Sequence, residues 1–365
     1  MQNNNTFLNI ISLINSPASW AFISRNIYNY SKDLESVNLI HQRGFLYKED
    51  LFLKLQRPLF KKAKADLIFD IPSNLKKKRN SDFVIAAFVY EFPEISQTWS
   101  YHLNKNADLI WIPNKFNDDI LKRSGVTTET IITPYGTDFK QTISKTNSNL
   151  NKRYQRKPFN FLTICMPQKR KNPILTINAF LKAFPIKNFP DTTLTIKFPY
   201  LPGKFPWDIS TEDLKESIKD DKRIKIINKI YSREEMKELL LSTQLYLQPS
   251  YSEGFGLSIL DSLSLGIPVL VNSFGGQLDF CNSDNSIILK SNPKEIKGLD
   301  YSNKEKTVIA KEPDIKDFSE KLYRFRTDID FYIRSYQKTK LLDPKKYNWK
   351  SISQTIINKI KEKTL

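Results

Sequence analysis

Two carboxylates and two glycines fall within one nine-residue run, EGFGLSILD, as Glu253, Gly254, Gly256 and Asp261. Glycine leaves backbone N–H groups unshielded, and the apolar periodicity from Leu257 onward predicts a helix whose positive end points at the same loop. Together these form an anion site that needs no lysine. Glu253 would repel an anion directly, so a carboxylate here is better used on hydroxyls. Asp261 follows after seven intervening residues, one turn into the helix, where it could accept a second pair of hydroxyls. A nucleoside diphosphate sugar offers all three groups: diphosphate, sugar hydroxyls and ribose hydroxyls. Spacing alone fits equally well an ordinary strand–helix turn with a solvated Glu and Asp.

The elements around the run are set by simple signals. Leu245 to Gln248 is a short apolar stretch closed by Pro249 and Ser250, which reads as a buried strand. Leu257, Leu260, Leu263 and Leu265 recur at helical spacing, and Gly266 with Pro268 stops the helix. Val269 to Val271 is the next strand.

EGFGLSILD, followed by LGIPVLVNSFGG, resembles the E-x7-E region of the retaining glycosyltransferases of family 4, which have the two-domain GT-B fold. The resemblance implies roles. Glu253 lies at the donor sugar. The backbone of Gly254, Phe255, Gly256 and Leu257 lies at sugar and phosphate, and Asp261 at the ribose. The family usually has Glu at that last position, and Asp is shorter by about 1.5 Å. The turn MPQKRKN (Met166 to Asn172) is similar to the family's basic turn, so Arg170 and Lys171 are expected at the donor diphosphate, with Lys171 the preferred one. A cation at a developing diphosphate leaving group is what the chemistry demands when no metal is present. Glu253, Lys171 and Arg170 are thus the candidate catalytic residues. The loop Lys229 to Tyr231 is implied to bracket the base, which makes Tyr231 a donor-binding candidate.

Three residues are candidates on the acceptor side. The family's Gly-rich loop after the first strand is here Asn15-Ser16-Pro17-Ala18-Ser19, whose small residues, Ser16 among them, still admit a ligand. Glu91 follows the strand Asp82 to Phe88, in YEFPEISQTW, and strand ends line the crevice of open α/β sheets. His41 follows the strand Val37 to Ile40. The other histidine, His102, sits in a helical stretch and reads as structural. D-x-I-W-x-P from Asp108 and PYGTD (Pro134 to Asp138) also match family patterns.

The chain has 365 residues, more than one ordinary core requires, and 12% aromatic residues, too many for a disordered chain. Alternating strands and helices predict an α/β protein with two doubly wound Rossmann-like domains facing across a cleft. The bounds are 1–150 on the acceptor side and 151–340 on the nucleotide-sugar side, with 341–365 a helix returning to the first domain. The polar segment Lys140 to Lys157 reads as linker.

A net charge of +18 calls for an anionic partner or surface. No zinc spacing, RNP sequence or helix-turn-helix accompanies it, which argues against nucleic acid. The charge peaks between Arg43 and Arg79, with eleven Lys or Arg against four acids. There LFLKLQRPLFKKAKADLIF places Lys54, Arg57, Lys61, Lys62 and Lys64 among apolar clusters. Such a segment can rest on an anionic membrane, or form a surface helix with solvated lysines. Cys165 and Cys281 lack CxxC spacing and suit a reduced compartment. The first residues lack the basic region of a signal peptide. The longest clean apolar run, Phe83 to Tyr90, is too short to span a bilayer. The expectation is a cytoplasmic protein, peripheral on the inner face of the membrane.

Taken together, the resemblance implies a retaining, metal-independent hexosyltransferase without cofactor. It would move sugar from a UDP-, GDP- or ADP-sugar to a glycan or glycolipid hydroxyl in envelope polysaccharide, lipopolysaccharide or glycolipid synthesis. The alternative is a catalytically weak nucleotide-sugar-binding relative that scaffolds a partner enzyme.

Overall fold

The structure, a computed structural model, describes residues 6–14, 16, 18–41, 62–75, 81–198, 209–298, 306–340 and 343–364. The chain divides into two compact units, Met1–Asp138 with Asp343–Leu365, and Phe139–Leu342.

The first unit runs β1 (Thr6–Ser12), α1 (Ser19–Ser31), β2 (Val37–His41), β3 (Ala63–Phe69), β4 (Ser81–Ala87), α2 (Gln97–Asn106), β5 (Leu109–Ile112), α3 (Lys115–Arg123) and β6 (Thr130–Ile132). Its six strands are parallel in the order β2-β1-β3-β4-β5-β6. The winding reverses between β1 and β3. Strands covered on both faces must be apolar along their length, and all four residues of β5 are buried.

The last helix of the chain completes this unit. Trp349 meets the Phe22 ring edge-on at 5.9 Å. It also lies flat against Gly136, where a Cβ would come within 2.6 Å of the indole. The adjacent Thr137 N–H donates to the Tyr347 carbonyl at 3.0 Å. The PYGTD turn needs its glycine because a tryptophan occupies the space of a side chain.

The second unit runs α4 (Asn147–Tyr154), β7 (Phe159–Ile164), α5 (Pro173–Ala183), β8 (Thr192–Phe198), α6 (Thr211–Ile218), β9 (Ile224–Asn228), α7 (Arg233–Leu241), β10 (Leu245–Gln248), α8 (Leu257–Leu265), β11 (Val269–Asn272) and β12 (Ile287–Leu289). An antiparallel hairpin follows, β13 (Ser291–Lys297) and β14 (Thr307–Pro313), then α9 (Ile315–Thr327) and α10 (Ile329–Lys338). The trailing helix of the first unit is α11 (Trp349–Thr364). The second main sheet is also six-stranded, in the order β12-β11-β10-β7-β8-β9, and reverses between β7 and β10. Its core is aromatic: Phe161 stacks on Phe184 at 5.4 Å, and Phe325 packs on Tyr332 at 4.9 Å.

Both units are doubly wound α/β sheets, the two-domain fold that the resemblance implied. Three local readings need correction. The end of the basic stretch, AKADLIF, is not a helix but β3, a central strand with Lys64 on its exposed side. The part with Lys54, Arg57 and Lys61 lies outside the described residues, while Lys62 is exposed just before β3. Lys140 to Lys157 is not simply linker, since α4 forms within it. There Arg153 is buried and donates to the Tyr336 hydroxyl and the Leu241 carbonyl, both at 2.8 Å. The β13–β14 hairpin had no counterpart in the sequence reading.

Candidate functional site

In an open parallel sheet, ligands bind past the carboxyl ends of the strands, where the winding reverses. In the second unit the reversal lies between β7 and β10. The loop after β7 carries Arg170 and Lys171, and the loop after β10 carries Glu253. Three contacts close the gap: the Tyr251 N–H donates to the Arg170 carbonyl at 2.9 Å, Arg170 Nη1 donates to the Ser252 carbonyl at 2.8 Å, and Asn172 Nδ2 to the Pro249 carbonyl at 3.4 Å. Asn172 takes a left-handed backbone (φ 60°), which Asn tolerates, and Pro173 then opens α5.

The side chains converge on one carboxylate. Lys171 Nζ is 2.7 Å from both Glu253 oxygens, and Arg170 Nη1 is 3.4 Å from Oε2. Ser250 Oγ and Gln248 Nε2 donate to Oε1 at 2.6 and 3.0 Å, and Tyr246 holds Gln248 in turn through a 2.6 Å bond. Burial would raise the pKa of Glu253. The charges of Lys171 and then Arg170, with the hydrogen bonds from Lys171 and Ser250, outweigh it and hold the group at about 2. Glu253 is therefore a fixed anion and no proton donor near neutral pH. Two cations against one carboxylate leave this corner net positive, as a diphosphate requires.

The backbone of the loop is fixed by a second glycine pair. The Gly276 N–H donates to the Glu253 carbonyl at 2.7 Å. A Cβ on Gly275, whose φ is +119°, would lie 2.7 Å from that carbonyl oxygen and 2.8 Å from the Glu253 nitrogen. Gly256 caps α8 from the left-handed region (φ 94°), with no side-chain cap bond and no acid in the first turn. The positive end of α8 and the two cations flank the same loop.

The structure puts the other expected residues as follows. Gly254 and Leu257 continue the loop into α8. Phe255 is buried against Phe280 at 5.2 Å, so only its backbone can face a ligand. Tyr231 lies in the loop before α7, its ring centroid 4.9 Å from Lys197 Nζ. Asp261 is buried on α8. Arg233 grips both its oxygens, at 2.6 and 2.7 Å.

The acceptor-side candidates lie in the first unit, at or after the ends of its strands. Ser16 Oγ accepts from the Ala18 N–H at 3.1 Å, and its carbonyl accepts from Arg25 at 3.2 Å. His41 ends β2. Burial lowers its pKa, and its ring nitrogens find no partner among the described residues. Glu91 follows β4 and, after burial, is the second influence raising the Tyr135 phenol. His102 lies on α2 with Nδ1 3.2 Å from Asn106 Nδ2.

Sequence reasoning missed three supports. Gly275 and Gly276 close the run LGIPVLVNSFGG with no local pattern that marks their role. Arg233 sits inside the Ser232–Glu235 capping box, a local motif that gives no sign of a partner 28 positions away. Lys197, at the end of β8, is 2% exposed and donates to the carbonyls of Phe198 and Lys229 at 2.7 and 2.6 Å, tying down the loop that carries Tyr231. Burial lowers it to about 8. A lysine in an apolar strand was the one available signal.

Residues 168–300, which hold Arg170, Lys171, Glu253 and Asp261, match the family model described as glycosyl transferases group 1. No curated protein matches the chain by sequence. Among solved structures, Anabaena Alr3699/HepE in complex with UDP and glucose is similar at TM-score 0.67 and 13% identity, over 98% of this chain and 100% of that one. Sucrose-phosphate synthase from Thermosynechococcus elongatus is similar at TM-score 0.70 and 12% identity, over 98% and 99%. WaaG, a glycosyltransferase involved in lipopolysaccharide biosynthesis, is similar at TM-score 0.64 and 12% identity, over 97% and 99%. The class these comparisons define is one of fold, the two-domain GT-B architecture shared with these structures, with residues 168–300 of the second unit similar to group 1 glycosyl transferases.

Proposed function

We propose that the chain is a retaining glycosyltransferase that moves a hexose from a nucleoside diphosphate sugar to an acceptor hydroxyl without a metal. The carrying observation is the Lys171–Arg170–Glu253 cluster at the winding reversal of the second sheet, beside the open end of α8. HepE in complex with UDP and glucose supports the donor class, and the matched family model supports the reaction.

In the proposed step the bond from the anomeric carbon to the diphosphate oxygen breaks, and its electron pair goes to the leaving phosphate. Lys171 and Arg170 stabilise that charge. Glu253 orients both cations and accepts from the donor sugar's hydroxyls. The acceptor hydroxyl attacks on the same face and passes its proton to the departing phosphate oxygen. The acceptor is proposed to be a glycan or glycolipid beside an anionic membrane, met through the basic stretch 43–79. No helix among the described residues is long and apolar enough to cross a membrane.

The test is a thermal-shift panel of UDP, GDP and ADP, since a ligand of the native state raises apparent stability, followed by turnover with the matching sugars. Retention requires the product to keep the donor's anomeric configuration by NMR, and EDTA should leave turnover intact. Inversion or EDTA sensitivity refutes those parts. Salt-sensitive co-sedimentation with anionic but not neutral vesicles tests the membrane surface. A scaffold that binds nucleotide sugars without transfer is the second reading, favoured by the engagement of Asp261. Donor hydrolysis by the purified protein separates the two.

A further inference from the structure

We propose that Arg233, rather than Asp261, is the nucleoside-contacting residue at the ribose, and that Asp261 is the residue that positions it. The inference rests on the donor-site reading above and deepens it.

Both Asp261 oxygens are bonded to the guanidinium, at 2.6 Å to Nη1 and 2.7 Å to Nη2, in the two-pronged geometry that makes the strongest ion pairs. Each Asp261 oxygen keeps a second lone pair, but the bonds to the guanidinium are charge-assisted and about twice as strong as those a neutral hydroxyl makes, so an arriving ribose does not displace Arg233 from Asp261. The pair is also turned the other way. The Arg233 side chain is 31% exposed and that of Asp261 only 8%, so a ligand arriving from solvent meets the cation first.

The guanidinium is held from a second side as well. Its carbon lies 3.8 Å from the ring centroid of Phe139, itself buried. A planar cation between a carboxylate and an aromatic face has little rotamer freedom left to lose on binding. Its backbone is equally fixed, since Arg233 is the first residue of α7, directly after the Ser232 cap. Guanidinium N–H groups can only donate. This position therefore reads an oxygen of the ribose as an acceptor, where a bare carboxylate would read its hydroxyl proton.

The test uses isothermal titration of the full chain with whichever of UDP, GDP and ADP binds best, its 2′-deoxy and 3′-deoxy forms, and pyrophosphate. Wild type should lose about tenfold in affinity for at least one deoxy form. Arg233→Ala should bind the parent nucleotide about tenfold more weakly and no longer distinguish the deoxy forms, while pyrophosphate binding stays unchanged. Asp261→Asn should shift in the same direction by less. Arg233→Gln, with unliganded melting measured alongside, guards against a folding defect.

Tighter or equal binding by Arg233→Ala, with deoxy discrimination kept, overturns the inference, since Asp261 would then take the ribose itself. Equal binding of parent and deoxy forms by wild type also overturns it. Failure of pyrophosphate and all three diphosphates to bind wild type refutes the donor site itself, a different result.

Discussion

Where the second sheet reverses, a loop with two cations meets a loop with a carboxylate. Where the first sheet reverses, the loop after β1 holds Ser16 above a guanidinium, Arg25, that donates to the carbonyls of Ile14 and Ser16. Burial lowers Arg25 to about 10. The topology of the two places is the same. In one, positive charge is directed at a group a substrate can share. In the other, it is used to pin the backbone. Winding order tells where a ligand can sit, and the side chains at that point tell which chemistry is on offer.

The sharpest break of this contrast is the double substitution Lys171→Ala with Arg170→Ala. Each charge-assisted contact is worth roughly 1.5–3 kcal/mol, so nucleoside diphosphate affinity should fall by about a hundredfold or more. Glu253 would also be left buried and unpaired, a loss of about 3–5 kcal/mol in stability. Calorimetric titration and denaturant melts read the two effects, and unchanged affinity removes the phosphate assignment.

Next come the glycines. Gly275→Ala should cost about 2–3 kcal/mol and abolish donor binding, because the new methyl displaces the Glu253 backbone. Gly136→Ala should cost as much by displacing Trp349, while the folded fraction binds donor with unaltered Kd. Equal effects on Kd would erase the distinction between the sites.

Acid sensitivity is a smaller effect. Glu253 is held at about 2 against an ordinary 4.5. A depressed carboxyl contributes stability that is fully present above pH 4.5 and lost as pH falls toward 2. The amount is on the order of 3 kcal/mol. Melting temperature of the wild type should therefore drop more steeply across that window than that of Glu253→Gln. Parallel curves would mean that the carboxylate is not held this way. At neutral pH the same variant should lose turnover far more than donor affinity.

The smallest effects belong to the first unit. Ser16→Ala and His41→Gln should each change donor affinity by less than about twofold, since both belong to the first unit, whereas Arg170, Lys171 and Glu253 belong to the second. A tenfold loss in either would tie the first unit into donor binding.

Much of this was legible because the functional groups follow directly on apolar strands. A Glu between Leu247 and Phe255, or two cations after Phe161–Cys165, stands out where burial otherwise dictates Leu, Val and Phe. Ser250 and Gln248 were less visible, since their task depends on sharing one oxygen of Glu253. The Arg233–Asp261 pair spans 28 positions and is purely tertiary, while its local context already had an explanation as a helix cap. β3 was hidden by composition: the alternation in AKADLIF is that of a strand, but the lysines before it suggested a helix. The hairpin β13–β14 buries little beyond Val308 and Ala310, so its sequence is polar enough to pass for a loop. Yet Tyr251, two residues before Glu253, donates to Glu312 of this hairpin at 2.8 Å.

The indole of Trp349 against Gly136 has a consequence for synthesis on the ribosome. All of 139–342 is translated between the two segments it joins. The first-made domain ordinarily closes first, but here it lacks its last helix until the second unit has been made. The second unit has every strand of its sheet in hand while the first still lacks α11. Until then Gly136 and Phe22 stand without the ring that packs on them, and the nascent first unit is the part a chaperone would meet open.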